Sequence, residues 1–359
     1  MFDVAIIGAG PAGATLARLI GNSCRVLLTD RRPFSRVSGP SREGKCCGGL
    51  LAPDAQRMLS EFGLGLPKGV LEGPQLFVVR AIDNRQGLER FYQRHYINMD
   101  RQAFDSWLLS MVPPTVETRT GCSFKSFSTA GGLFRLELRQ GDRVYQEEAK
   151  VLVGADGASS AVRRQMAPGL PSPAKYFAIQ EWVEGCGSLP YFTSIFDPEI
   201  SDYYSWTIPK KDTLIIGAAL QPRADTLEKF GRLKEVLSGI GFQFGKTICR
   251  EGAFILRPMK TDHVFTGQGG IALIGEAAGW ISPSSAEGIS YAFKSARALA
   301  ESLHVSPENF QEGYRRKTRD LRLNIFLKVL KSHFIFNPVL RRVVMNSGFR
   351  SVRPYLPLL

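Results

Sequence analysis

The opening stretch "FDVAIIGAGPAGATLARLIG" leaves few folds open to this chain. Val4 to Ile7 read as a buried strand, Gly8-Ala9-Gly10-Pro11-Ala12-Gly13 as a turn, and the residues after them as a helix. Each glycine has its own steric task. Gly8 permits the tight turn, Gly10 lets the backbone approach a pyrophosphate, and Gly13 lets helix and strand pack closely. The helix N-terminus then offers unpaired N–H groups to phosphate charge. A second strand, "RVLLTD", ends at Asp30, twenty-two residues after Gly8, with Arg31 beside it. A carboxylate there can accept hydrogen bonds from ribose hydroxyls. The pattern predicts an α/β chain that opens on a Rossmann-like dinucleotide site. By itself it does not choose between NAD and FAD.

Two later stretches choose FAD. In "VLVGADGASSAVRR" (151–164) a strand ends at Gly154, Asp156-Gly157 makes a turn, and Ser160 and Arg163 follow on a short helix. In "GGIALIGEAAGWISPSSAEGISYAFKSARALAESL" (269–303) a strand, Ile271 to Ile274, leads into Gly275-Glu276-Ala277-Ala278-Gly279. Gly288 then stands near the start of a long helix. A reduced flavin carries negative charge at its N1–C2=O edge. A helix starting at Glu287-Gly288-Ile289 would turn backbone N–H groups and a positive dipole end toward that edge.

These three motifs, in this order, resemble FAD-dependent oxidoreductases of the p-hydroxybenzoate-hydroxylase-type fold. Within them, "KCCGGLL", "YYSWTIP" and "GEAAGWISPSSAEGI" resemble the geranylgeranyl reductase family, most of all its short bacterial CbrA-like branch, and the likeness extends over nearly the whole chain. The resemblance implies FAD as cofactor, with Asp156, Gly157, Gly275, Gly288 and Ile289 around it. It puts Glu276 on the ribityl chain, where most relatives have Asp, and brings Arg101 of "MDRQAFDSWL" in from a helix. It also puts Cys47 beside flavin and substrate, leaving Cys46 in a variable position. Tyr204 and Trp206 would line the cavity over the flavin. The implied activity is reduction of carbon–carbon double bonds in an apolar, prenyl-type substrate, with hydride from the flavin and a proton from solvent or a nearby acid.

Other readings of the same residues stay open. Vicinal Cys46 and Cys47 are small buried residues, a redox pair, or half of a metal site that lacks a second half. With Lys45 and a helix N-terminus nearby, the Cys47 thiol could ionise more easily and serve as a proton donor. "SLPYFTSIFD", "DYYSWTIPK" and "DTLIIGAAL" read as consecutive antiparallel strands. Tyr204, Trp206 and Ile208 then share one face, Tyr203 and Ser205 take the other, and Pro209 ends the strand. That face is a sheet core or an aromatic wall for an apolar ligand. Flavin halogenases carry Trp-x-Trp-x-Ile-Pro on a similar fold, and this chain has Tyr204-x-Trp206-x-Ile208-Pro209. A flavin-dependent monooxygenase or halogenase, and an electron-transfer flavoprotein without its own organic substrate, are the alternatives.

A chain of 359 residues exceeds one hydrophobic core, so a discontinuous arrangement is expected. Residues 1–75, 99–170 and 263–303 would form the FAD-binding domain with its central parallel sheet. Residues 76–98 and 171–262 would form an antiparallel β-sheet substrate lobe, and 304–359 a basic helical C-terminal tail. The net charge of +13 favours acidic partners, and the tail concentrates it: eleven Lys or Arg and one acid, Asp320, lie between Arg315 and Arg353. Nucleic acid is disfavoured, because no recognised binding fold is present and aromatics are not interleaved with the basic residues. The expected partners are an apolar small-molecule or lipid substrate and an electron donor. That donor would be NAD(P)H, without a second GxGxxG, or an acidic ferredoxin- or flavodoxin-type protein. Salt-sensitive peripheral contact with an anionic membrane is also expected, weakened by Arg341→Glu with Arg342→Glu. Six scattered cysteines suggest a reducing compartment and four histidines show no metal spacing. With neither signal peptide nor apolar span, the expected location is cytoplasmic, with peripheral contact at the inner face of the membrane.

Overall fold

The computed structural model describes residues 1–34, 46–185 and 191–354. β1 (Phe2–Ile7), α1 (Pro11–Ile20) and β2 (Val26–Asp30) form a parallel βαβ unit. Pro11 starts α1, where its missing N–H and preset φ suit the first turn. β2 is buried along its length, and its first three residues, Val26, Leu27 and Leu28, are accordingly apolar. α2 (Pro53–Glu61), β3 (Leu76–Asp83), β4 (Leu88–Asn98) and α3 (Arg101–Ser110) follow. The long β5 (Arg143–Gly154) then returns beside β1, with Gly154 opposite Ile7. α4 (Ala161–Met166) is capped by Ser160, whose Oγ accepts the Arg163 N–H.

A second sheet takes up β6 (Ala174–Glu184), β7 (Tyr191–Phe196), β8 (Ser205–Lys210) and β9 (Thr213–Leu220), then α5 (Thr226–Gly239) and β10 (Thr247–Arg257). β11 (Ile271–Leu273) goes back to the first sheet and leads into α6 (Ile289–Val305). α7 (Phe310–Lys317), α8 (Arg319–Phe336) and α9 (Pro338–Ser347) follow, before a short strand, Ser351–Val352.

The first sheet runs in the order Gly267–Gln268, β11, β5, β1, β2, Glu117–Thr120, and its central strands are parallel. The second runs β10, β6, β9, β8, β7, β3, β4, Ser351–Val352, with only β7 and β3 parallel. The fold is thus the expected α/β type: a Rossmann-like parallel sheet, a largely antiparallel second sheet, and C-terminal helices. The carboxyl ends of β1, β5 and β11 share one edge, where open parallel sheets place their ligands.

β8 continues past Pro209 to Lys210 instead of stopping there. Its pairing with β7 covers only Ser205 to Thr207, so the missing Pro209 donor interrupts no bond on that side.

The tail is held by specific contacts. Phe336 of α8 meets Tyr203 at 4.9 Å between ring centroids, and the Arg257 guanidinium lies 4.4 Å from each ring. Arg341 of α9 donates from Nε to Asp83 Oδ2 at 2.7 Å, with side-chain exposures of 7% and 0%. Arg341 is therefore no part of a solvated basic face, contrary to the sequence expectation. A glutamate there would set two carboxylates together in the interior, and the double charge reversal would not isolate a surface effect. Among the described residues no helix is long and apolar enough to cross a membrane.

Candidate active site

A cavity of ≈ 2100 Å³ lies between the two sheets, from the β1–α1 turn to the C-terminal helices. At its first end Gly8 has φ +107°, and a Cβ there would lie 2.5 Å from the Ala155 carbonyl oxygen. A Cβ on Gly13 would lie 1.8 Å from the Gly8 carbonyl oxygen, so helix and turn are in backbone contact. Gly10 differs. Among the described residues only an Arg32 nitrogen, at 3.9 Å, stands within 4 Å of its Cβ position, and the residue lines the cavity. Gly10 caps α1 without a side-chain hydrogen bond, leaving the first-turn N–H groups near Ala12 and Gly13 available to an anion. Across from them, Asp156 Oδ2 accepts N–H bonds from Ala161 and Val162, while Oδ1 is buried with no hydrogen-bond partner among the described residues. Burial pushes its carboxyl above the usual range. Gly157 lies next to it on the cavity wall.

Asp30 braces the turn: Oδ2 accepts the Ala9 N–H at 2.8 Å and an Arg32 nitrogen at 3.0 Å. Arg31 is exposed at the cavity wall, while Arg32 reaches inward to Asp105 at 2.8 Å. Asp105 also receives Arg101 Nε at 2.7 Å, and Arg101 Nη1 lies 3.4 Å from Cys47 Sγ. Burial pushes the Asp105 carboxyl up, but the Arg101 and Arg32 guanidinium groups outweigh it and hold the carboxyl below the usual range. One chain of ion pairs and hydrogen bonds thus joins the β1–α1 turn to Cys47. Sequence reasoning missed Arg32 and Asp105. The signal that could have found the second was Asp105 four residues after Arg101 on one helix.

At the other end, Gly275 lets the β11 exit approach α1, since its Cβ would lie 2.9 Å from the Ala12 Cβ. Glu276 lines the cavity and accepts the Leu256 N–H at 3.0 Å. Gly288 caps α6 ahead of Ile289, with no side-chain hydrogen bond, and among the described residues its Cβ position meets nothing nearer than Ile281 at 3.8 Å. Neighbouring Glu287 is tied to Arg94 at 2.8 Å and to Tyr96 Oη at 2.6 Å.

Cys46 and Cys47 enter on a segment that lies directly on β8. A Cβ on Gly48 would come 2.3 Å from Ile208, and one on Gly49 2.2 Å from the Met99 carbonyl oxygen. Gly49 also has φ +65°, so only glycine fits both its backbone and its neighbours. Cys46 Sγ lies 3.9 Å from the Ala178 carbonyl oxygen. Cys47 stands six residues before α2, and Arg101 is a positive group beside it; Lys45 lies outside the described residues. Tyr204 and Trp206 face the cavity with ring centroids 5.6 Å apart, and Tyr204 donates to the Ser285 carbonyl at 2.8 Å. Trp206 lies flat on Gly217 of β9, where a Cβ would fall 2.3 Å from the indole. Tyr203 points the other way, onto Tyr176 and Phe336.

Lys210, at the end of β8, is buried and donates to Asn98 Oδ1 at 2.6 Å and to the Met99 carbonyl at 3.0 Å. Burial pushes its ammonium down to about 8. The unfolded chain, with an ordinary lysine near ~10.4, binds the extra proton between those values. Stability should therefore rise with pH from about 8 to ~10.4, by roughly 3 kcal/mol, and Lys210→Met should lack that increment. Urea unfolding of both proteins across this range tests it; parallel curves would rule it out.

No protein-family model matches the chain. Among curated proteins it is 43% identical over 347 residues to CbrA of Escherichia coli O6:H1 (strain CFT073), covering 97% of this chain and 93% of that protein. Among solved structures it is similar to a geranylgeranyl bacteriochlorophyll reductase-like protein from Thermoplasma acidophilum, with a TM-score of 0.79, 17% identity, and coverage of 96% and 90%. It is also similar to the p-nitrophenol 4-monooxygenase PnpA from Pseudomonas putida DLL-E4, with a TM-score of 0.70, 16% identity, and coverage of 96% and 92%. The fold is that of flavin-dependent oxidoreductases. Reductase-like and monooxygenase structures share that fold at equally low identity, so it does not choose between their reactions. The chain belongs to the CbrA family.

Proposed function

We propose that this protein holds FAD and reduces carbon–carbon double bonds of an apolar, prenyl-type substrate. Four features fit the cofactor: the open face of Gly10, the uncapped start of α1, the partnerless Asp156 Oδ1, and the uncapped start of α6. Bound there, FAD would supply the two-electron redox couple. N–H groups at Ala12 and Gly13 would hold its pyrophosphate, Asp30 and Arg32 its adenosine side, and Glu276 its ribityl chain. The start of α6 at Gly288 and Ile289 would stabilise negative charge at the pyrimidine edge. Tyr204 and Trp206 hold an apolar chain by contact area without demanding hydrogen bonds from it. Cys47, steadied by Arg101, orients the substrate or passes it a proton.

The observation that carries this reading is the seating of Gly48 on Ile208 of β8, in a cavity that Cys47, Tyr204 and Trp206 line together. A second reading, monooxygenase or halogenase, draws on the Tyr204-x-Trp206-x-Ile208-Pro209 spacing itself. Anaerobic photoreduction followed by stopped-flow mixing with oxygen separates the two. The expected result is a single-phase return of the oxidised flavin spectrum. A long-lived transient spectrum, unlike either the oxidised or the reduced form, would favour the monooxygenase class.

A further inference from the structure

α8 is apolar on two opposite faces. Leu321, Ile325, Val329 and Ser332 turn inward and are buried, while Leu323, Phe326, Leu327, Leu330 and Phe334 are 45–57% exposed. At 3.6 residues per turn, those five fall within an arc of about 100° opposite the buried side. α9 repeats the arrangement, with Arg341 and Met345 buried and Val339, Val343 and Val344 exposed. Eleven of the nineteen exposed large apolar side chains among the described residues lie between Leu323 and Val352. A surface meant only for water does not collect them this way.

The charge identifies what covers this face. Arg319 and Lys331 of α8, Arg342 of α9, and Arg350 and Arg353 beyond it are exposed, and Asp320 is the one acid from Arg315 to Arg353. A protein partner on this face would have to supply acidic charge opposite these cations. An apolar stripe set among cations of one sign is instead the make-up of a helix lying in a bilayer interface. The cavity adds a second observation. Phe334, Val344 and Phe349 belong to the exposed face and also line the cavity, as do Lys331 and Arg350. The cavity therefore opens within the patch.

We infer that the outer faces of α8 and α9 insert into the headgroup region of an anionic phospholipid bilayer and hold the cavity mouth against it. An apolar substrate then passes from bilayer to cavity without crossing water. That passage rests on the proposed reaction, whereas the docking does not. Insertion of apolar side chains also changes the expected salt response. Salt screens the cations and weakens attachment, but does not abolish it.

The test is flotation of the purified full-length protein with vesicles of phosphatidylcholine, alone or in equal parts with phosphatidylglycerol. The protein should float with the mixed vesicles, and less with phosphatidylcholine alone. Leu323→Glu with Phe326→Glu and Leu330→Glu, none of which lines the cavity, should weaken binding at least ~100-fold. Flavin content and thermal midpoint should stay at wild-type values. Wild-type protein left at the bottom with mixed vesicles at low salt would overturn the inference, as would undiminished binding by the triple variant. Equal binding to both lipids would overturn the part assigned to charge. A wild-type dimer made monomeric by the triple variant, with no vesicle recruitment, would give the face to a second copy. No substrate enters the assay, so its failure leaves the proposed reaction standing, and failure of that reaction leaves docking standing.

Discussion

Gly10→Val is expected to give folded protein without flavin, and Gly13→Val to give no stable protein. The two glycines belong to one motif, yet their surroundings are opposite. Beyond Gly10 lies the cavity, with an Arg32 nitrogen at 3.9 Å as the one neighbour of a Cβ among the described residues, so valine methyl groups would occupy cavity space over the start of α1. At Gly13 the Cβ itself would sit 1.8 Å from the Gly8 carbonyl oxygen, and no rotamer relieves a clash between Cβ and backbone. Overpacking of side chains costs about 1–3 kcal/mol, and a backbone clash costs more. That is a large share of the ~5–15 kcal/mol that holds a domain together. From sequence alone, Gly13→Val would be expected simply to yield apoprotein; the geometry moves that outcome to Gly10. Circular-dichroism melts and flavin absorbance after gel filtration measure both effects. Full flavin occupancy in Gly10→Val would sink the cradle assignment.

Trp206→Ala should slow reoxidation of the photoreduced protein by geranylgeraniol roughly 100-fold or more, with flavin content unchanged. The indole is the largest surface of the aromatic wall, and truncating an aromatic anchor of a binding surface typically costs about 2–4 kcal/mol of binding. Gly217→Val should reproduce the defect with Trp206 intact, because the new Cβ would fall 2.3 Å from the indole and displace it. Two substitutions on different strands then report on one ring. Loss of flavin or fold in both would make Trp206 a core residue and remove the substrate wall from the site.

Part of this molecule is legible in its amino-acid sequence. The cradle at Gly8, Gly10 and Gly13 is legible because turn, helix start and strand are contiguous, and glycine's steric exemption is a local property. The facing of Tyr204, Trp206 and Ile208 is legible because strand side chains alternate by geometry alone. These features need no knowledge of distant residues.

What is not legible involves partners far apart in the chain. Arg32 and Asp105 are 73 positions apart, and Arg341 and Asp83 are 258 apart. Nothing in the local pattern distinguishes Arg341, which is buried in an ion pair, from Arg342, which is exposed. Gly217 and Gly48 look like ordinary glycines until β8 is laid against them. α8 is the clearest case. Its sequence is apolar on both sides, so periodicity could not say which side is core. Packing on the first sheet decided it, burying Leu321, Ile325 and Val329 and leaving Leu323, Phe326 and Leu330 outside. Sequence determined the local backbone geometry of the glycine turn between β1 and α1. Tertiary structure decided which equivalent-looking charges and apolar faces were enclosed, because burial depends on what the rest of the chain brings alongside.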